Sequence, residues 1–502
     1  MSARSILRPA DLDRATISAV ARGECRVVLA PPVLAALAGS RRSALGDLDG
    51  DAPVYGVNTG MGAMSGVRLD AAAQARQQNT LMAGRAVGSA PWLRRDEARA
   101  LLAARLRTFL HPSAGVSPGL CTHLAGLLNA GVIPAIPLRG GAAGEIIPLA
   151  HAGSVLIGTG RVLDAAGSPV DAAPALAAAG LAPRPFEAKE GVAFLEGVPG
   201  LTGLAVLHAT DTRTLLGQVV AATAASHAVA RASHDPLHPA LADGDELAQV
   251  LSALRDRYPG DGEPGSRALQ APVSFRVTAP ALAVCLRAVT GLEAAADRAL
   301  DAVTDSPAHL DGRFVGTFGF AGTDLAAAAG TLTAALIHLA ELGAARLHRL
   351  LDAAVTGLPR QLSDAPGLHA GMVTVHKRAV GVVHRLRRFA TPAFVGAVET
   401  SLGQEDVQSF GFEAAECLGE ALAGLRDVLA CELLAVHQAT LLAGRRPQGP
   451  PAEIAAVLPA GTADRPFGRD LDRIIELLAG GWAAPAAGRT PRAADRGGDV
   501  TP

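Results

Sequence analysis

Apolar residues recur at helical spacing over most of this chain and alternate at strand spacing almost nowhere. Between Asp96 and Leu110, the positions Leu101, Leu102, Ala104 and Leu106 mark one helical face. Residues 10 to 50 read as a helix, a short strand at Cys25–Leu29 and a second helix after Pro32. The helical pattern from Asp70 to Leu128 breaks at Pro112 and Ser113, and a new helix carries Leu120 to Asn129. Pro148 to Gly158 and 279 to 305 read as further helices. Residues 200 to 232 are so poor in charge that the helix they predict must be buried on most sides. Leu347, Leu350, Leu351 and Val355 mark one apolar face, stopped by Gly357 and Pro359. A last long helix over 412–443 carries the stripe Leu418, Leu422, Leu425, Val428 and Leu429.

Between these helices, 159–185 is rich in Gly, Ala and Pro and reads as surface turns, and 233–272 as an excursion rich in Asp, Gly, Pro and His. No repeat of fixed period is present. The pattern predicts one large helical domain over 1–482, and a disordered tail over 483–502.

Composition sharpens this picture. Hydrophobic residues make up 49% and aromatics only 3%, which favours long helices packed through small residues over a β-rich fold. The 45 basic and 47 acidic residues give a net charge of −2, so there is no electrostatic case for nucleic acid or a membrane surface. The five cysteines are odd in number and scattered, which reads as reduced core residues. No cluster of metal ligands stands at ligand spacing. The N-terminus lacks the apolar segment of a signal peptide, and no uninterrupted uncharged apolar run has membrane-spanning length with suitable flanks. A soluble cytoplasmic protein is expected.

Two glycine-rich stretches interrupt the helices. Gly140-Gly141-Ala142-Ala143-Gly144-Glu145 opens onto the apolar run Ile146 to His151. Taken alone it is a tight turn, or a place where backbone N–H groups approach a ligand. Pro53 to Gly62 is a loop that carries Tyr55, one of only two tyrosines in the chain. Packing and chemistry are both open to it.

In their order, these segments resemble the histidine and aromatic amino-acid ammonia-lyase family, collinearly from about Leu12 to Leu442. The resemblance rests on Tyr55–Gly62 (Tyr-Gly-Val-Asn-Thr-Gly-Met-Gly), Gln77-Gln78-Asn79 and Leu128-Asn129-Ala130-Gly131-Val132-Ile133-Pro134. It continues through Gly141–His151, Lys189-Glu190-Gly191-Val192-Ala193, Thr400–Asp406 and Glu432-Leu433-Leu434. It implies a mainly α fold, an elongated helical bundle of the fumarase/aspartase type, and a homotetramer whose active sites combine loops from three subunits. It further implies that Tyr55 is the general base and that Arg276 holds a substrate carboxylate. Gln270, Phe318, Asn79 and Glu405 fall at site-lining positions, and the glutamate at 405 is the choice of histidine-specific members.

The departures carry as much information. The family makes an electrophile, methylideneimidazolone, from an Ala-Ser-Gly tripeptide; here the tripeptide is Ala142-Ala143-Gly144. Without the serine hydroxyl no exocyclic methylidene forms, so no cofactor is expected. The family's nearby asparagine is Glu196, its tyrosine Val273, its histidine Gly84, and its aspartate after the tripeptide Glu145. Four changes besides the serine point to natural loss of the group. A basic cluster, His376-Lys377-Arg378, is new, and Lys377 reads equally as facing the site or as a solvated helix face.

A lyase without the electrophile needs a leaving group already activated, and a quaternary ammonium is one. The resemblance then extends to ergothionase, which removes trimethylamine from ergothioneine. Arg276 would hold the carboxylate, Glu405 the thioimidazole, and Glu196 the cationic nitrogen. Tyr55 would need its pKa lowered below about 10, by helix N-termini or by Lys377. Three alternatives stay open: a lyase or cyclase for another small-molecule substrate using Tyr55, a non-catalytic homologue, and an ordinary histidine ammonia-lyase disabled at Ala143.

Overall fold

The computed structural model describes residues 2–48, 52–142, 144–257, 266–396 and 398–483. Helices dominate, the longest being Pro199–Ala230, Thr278–Asp301, Thr323–Leu350 and Gly411–Leu442. Where the pattern suggests one helical domain, contacts gather in two compact units interleaved along the chain. The first comprises Met1–Asp211, Val284–His338 and His384–Gly424; the second comprises Thr212–Ala283, Leu339–Val383 and Leu425–Pro502. Of the expected tail, all but Ala483 lies outside the described residues.

The first unit is organised around Arg95–Phe109, whose residues from Ala98 to Ala104 are buried except for Arg99. Alanines at several of these positions let neighbouring backbones approach closely, which is how a chain poor in aromatics fills its core. The neighbouring helix Pro118–Ala130 is capped by Ser117, whose hydroxyl accepts the Leu120 N–H, and it ends at Gly131 with φ +70°. Asn129 on this helix reads Val27 through both groups of its amide, at 2.9 and 2.8 Å, and so pins the strand Cys25–Leu29. That strand pairs in parallel with Ser2–Ile6. The second unit has a buried polar knot: Arg346 forks onto Glu432 at 2.7 and 2.8 Å and donates to Thr278, while Ser226 donates to Glu432. Glu432, part of a resemblance motif, is therefore spent on structure.

Two expectations need correction. The stretch 159–185 is not all turns: Arg161–Leu163 and Pro169–Asp171 pair antiparallel, Ile133–Pro134 joins them, and Ala172–Ala178 is helical. Strands of two or three residues are too short to impose an alternation on the sequence. Val355 does not share a helix with Leu350, because the chain turns there and Val355 lies in the short helix Ala353–Thr356. Although charges such as Asp211, Arg287 and Glu341 interrupt them, Glu190–Ala230, Thr278–Asp301 and Gly319–Leu350 are long and apolar enough to cross a membrane by length and composition. In Glu190–Ala230 the apolar window is wholly buried inside the protein, so a packed core accounts for its composition.

Candidate active site

The Tyr55 loop is held by two consecutive side chains of helix Ala71–Arg85. Gln77 Nε2 donates to Thr59 O at 2.9 Å, and Gln78 Nε2 donates to Gly56 O at 3.0 Å. The other end of the Gln78 amide accepts the Val192 N–H, which ties the loop to helix Glu190–Leu195. This works because Gly191 has no side chain: a Cβ there would stand 2.3 Å from Gln78 O. Asn79, expected to bind substrate, has both ends of its amide committed to the Phe186 backbone at 3.0 and 2.8 Å, and acts as a clamp.

So held, Tyr55 lines a cavity of about 380 Å³ with Met61, Met64, Arg85, Ala142, Ile146, Thr400 and Glu405. The Gly62 N–H donates to the phenolic oxygen at 2.8 Å. Burial pushes the Tyr55 pKa above its ordinary value; Glu196 and Glu405 push the same way, while the Gly62 N–H and Arg85 oppose them. The expected lowering is thus reversed in the chain alone. Lys377 belongs to the second unit, exposed on Val373–Leu386, and the cation among the described residues lining the Tyr55 cavity is Arg85.

Glu196 is buried just past the end of Glu190–Leu195, where Arg105 donates to Ala193 O of that helix and to Glu196 O at 2.6 Å. Burial, with Glu405 next, pushes the Glu196 carboxyl up to about 8. Its Oε2 stands 3.3 Å from where a Cβ on Gly144 would be, and Gly144 has φ +65°. Ala142 lines the Tyr55 cavity; Ala143 lies outside the described residues. Glu145 accepts the Gly200 and Leu201 N–H groups at 2.6 Å each, at the start of Pro199–Ala230. Burial raises its pKa to about 7 against those two bonds. Lys189 is fully buried and pairs with Asp305 at 2.5 Å, so the Lys189-Glu190-Gly191 motif is structural as well.

Glu405 accepts the Thr400 hydroxyl at 2.6 Å at the cavity edge. Phe318 is 89% exposed and does not pack on this site within the chain. Two residues on, Phe320 comes within 3.8 Å of a Cβ on Gly144. In the second unit Arg276 donates to Gln270 Oε1 at 2.7 Å, and both line a separate cavity of about 440 Å³. Of the basic cluster, His376 stacks on His348 and Arg378 pairs with Asp427. Sequence reasoning missed Arg85 and Phe320. Arg85 had a signal: it lies seven residues after Gln78, two turns along the same helical face.

A family profile described as aromatic amino acid lyase matches residues 12–459. The chain belongs to the aromatic amino acid lyase family. Histidine ammonia-lyase of Gloeobacter violaceus is 31% identical over 480 residues, covering 92% of this chain and 93% of that protein. The lyase is therefore an enzyme of the carbon–nitrogen lyase type. Tyrosine aminomutase from Streptomyces globisporus superposes with a TM-score of 0.88 at 27% identity, over 94% of this chain and 96% of that one. Ergothionase from Treponema denticola gives 0.88 at 22% identity, over 96% and 99%, a likeness of fold. The mainly helical architecture of the lyase is that of these structures.

Proposed function

We propose that this lyase eliminates an amine that already carries a full positive charge, trimethylamine from a histidine-like betaine such as ergothioneine, without a methylideneimidazolone. The observation that carries the reading is the Glu196 carboxyl against Gly144, with Glu405 close enough to raise its pKa. Two carboxylates around one phenol, opposed in that cavity by the Arg85 guanidinium, favour a cation as ligand. The residues present do not fit the family's electrophile: Ala142-Ala143-Gly144 offers no hydroxyl to lose, and a buried carboxyl stands beside it.

In the homotetramer implied by the family, Arg276 would supply the fork for the substrate carboxylate. Glu405 would accept an N–H from the thioimidazole, and Glu196 would face the quaternary nitrogen. The arriving cation lowers the pKa of Tyr55 and of Glu196 together, because a nearby positive charge favours both anions. Tyr55, as phenolate, then takes the proton from the carbon beside the ring. The C–N bond breaks, its electron pair leaves with neutral trimethylamine, and a double bond forms beside the ring. Incubation of the protein with ergothioneine, following the conjugated product by absorbance, tests this; no product at high enzyme concentration sinks the substrate assignment.

A further inference from the structure

Helix Ala71–Arg85 ends in a guanidinium that none of the family motifs contains. Because Gln78 on the same face holds the Tyr55 loop, Arg85 two turns later reaches the cavity that Tyr55 lines. Among the described residues lining it, Arg85 is the one cation, against the Glu405 carboxylate. A basic residue in a last helical turn ordinarily serves the helix carbonyls. Arg85 instead sends Nη2 to the Met61 thioether at 3.9 Å, a weak acceptor for a half-buried guanidinium with five donors. Met61 precedes Gly62, whose N–H already binds the Tyr55 oxygen. The Gly62 N–H thus binds the phenol oxygen, and the Arg85 guanidinium lines the same cavity beside the neighbouring residue Met61.

We propose that Arg85 is the counter-ion of the Tyr55 phenolate, a positioning residue that lets the phenol act as a base. The inference rests on the reading of Tyr55 as base, and it moves to Arg85 the task that the sequence suggested for Lys377. The charged groups facing Tyr55 are Glu196 and Glu405, which resist its ionisation, and Arg85, which favours it. On activation the phenol gives its proton to solvent; the phenolate then takes the substrate proton and becomes phenol again. Arg85 keeps its charge throughout.

The chain has two tyrosines, Tyr55 and Tyr258, so protein labelled with 3-fluorotyrosine shows two fluorine resonances. The Tyr55→Phe variant assigns them. Following the Tyr55 resonance against pH in wild type, Arg85→Gln and Arg85→Lys requires no substrate. In Arg85→Gln the Tyr55 titration should move up by about one pH unit or more, a tenfold weaker acid. Arg85→Lys should stay nearer wild type. An unmoved titration in Arg85→Gln, or equal displacement in both variants, overturns the proposal. Failure of ergothioneine turnover would sink the substrate assignment and leave this result standing.

Discussion

A Cβ on Gly144 would stand 3.3 Å from Oε2 of Glu196, so the two residues occupy adjoining space in the core of the first unit. The backbone there is left-handed, at φ +65°, which suits glycine. A carboxyl held this way is short of water, and its proton is correspondingly hard to remove.

Glu196 makes folding depend on pH. Its pKa rises from about 4.5 in the unfolded chain to about 8 in the folded protein. The folded state therefore binds this proton more tightly, and the stabilisation is complete below pH 4.5 and lost as pH climbs through 8. Glu196→Gln removes the titration. The melting temperature of the variant relative to wild type should rise between pH 5 and pH 9, by the equivalent of roughly 2–4 kcal/mol. A difference that stays constant across that range contradicts the burial of an ionisable Glu196.

The buried pair of Lys189 and Asp305 should be costly to break. Asp305→Ala leaves the Lys189 ammonium in the core with its strongest partner gone. Removing one member of a buried pair costs about 3–5 kcal/mol, which a denaturant titration at pH 7 would read directly. A loss under about 1 kcal/mol would mean that water reaches Lys189.

Gly191→Ala tests the scaffold of the Tyr55 loop without touching a reacting group. Its Cβ would meet Gln78 O at 2.3 Å, forcing apart the segments that hold Gly56 and Val192. Overpacking of this kind costs about 1–3 kcal/mol, and turnover should fall further than stability. Equal losses in both would place the loop outside the chemistry.

Tyr55→Phe keeps the ring and deletes the phenolic oxygen that Gly62 binds. General acid–base groups contribute about 10²- to 10⁴-fold to rate, so kcat should fall by that order with a small change in thermal stability. A variant retaining most of its turnover would exclude Tyr55 as the base.

Much of this was legible in the sequence, and the exceptions have physical causes. The strand Cys25–Leu29 alternates buried and exposed positions and could be read, whereas its partner Ser2–Ile6 buries only Ile6 and could not. Tyr55 and Glu196 were recognisable because family motifs surround them. Asn79 sits in such a motif too, yet its amide clamps Phe186, which depends on a contact 107 residues away. Phe318 precedes and Phe320 sits within a tight turn over Gly319–Ala321, and which ring turns inward is set by that turn. The direction of the Tyr55 shift depended on burial and on two carboxylates brought together from distant segments, which no local pattern encodes.

The central claim is that this site expels an amine already bearing its charge. Offering the purified protein equal amounts of ergothioneine and histidine, and quantifying trimethylamine and ammonia released, tests it most directly. The account predicts trimethylamine at a rate abolished by Tyr55→Phe, and no ammonia. Ammonia from histidine, with ergothioneine untouched, would contradict it.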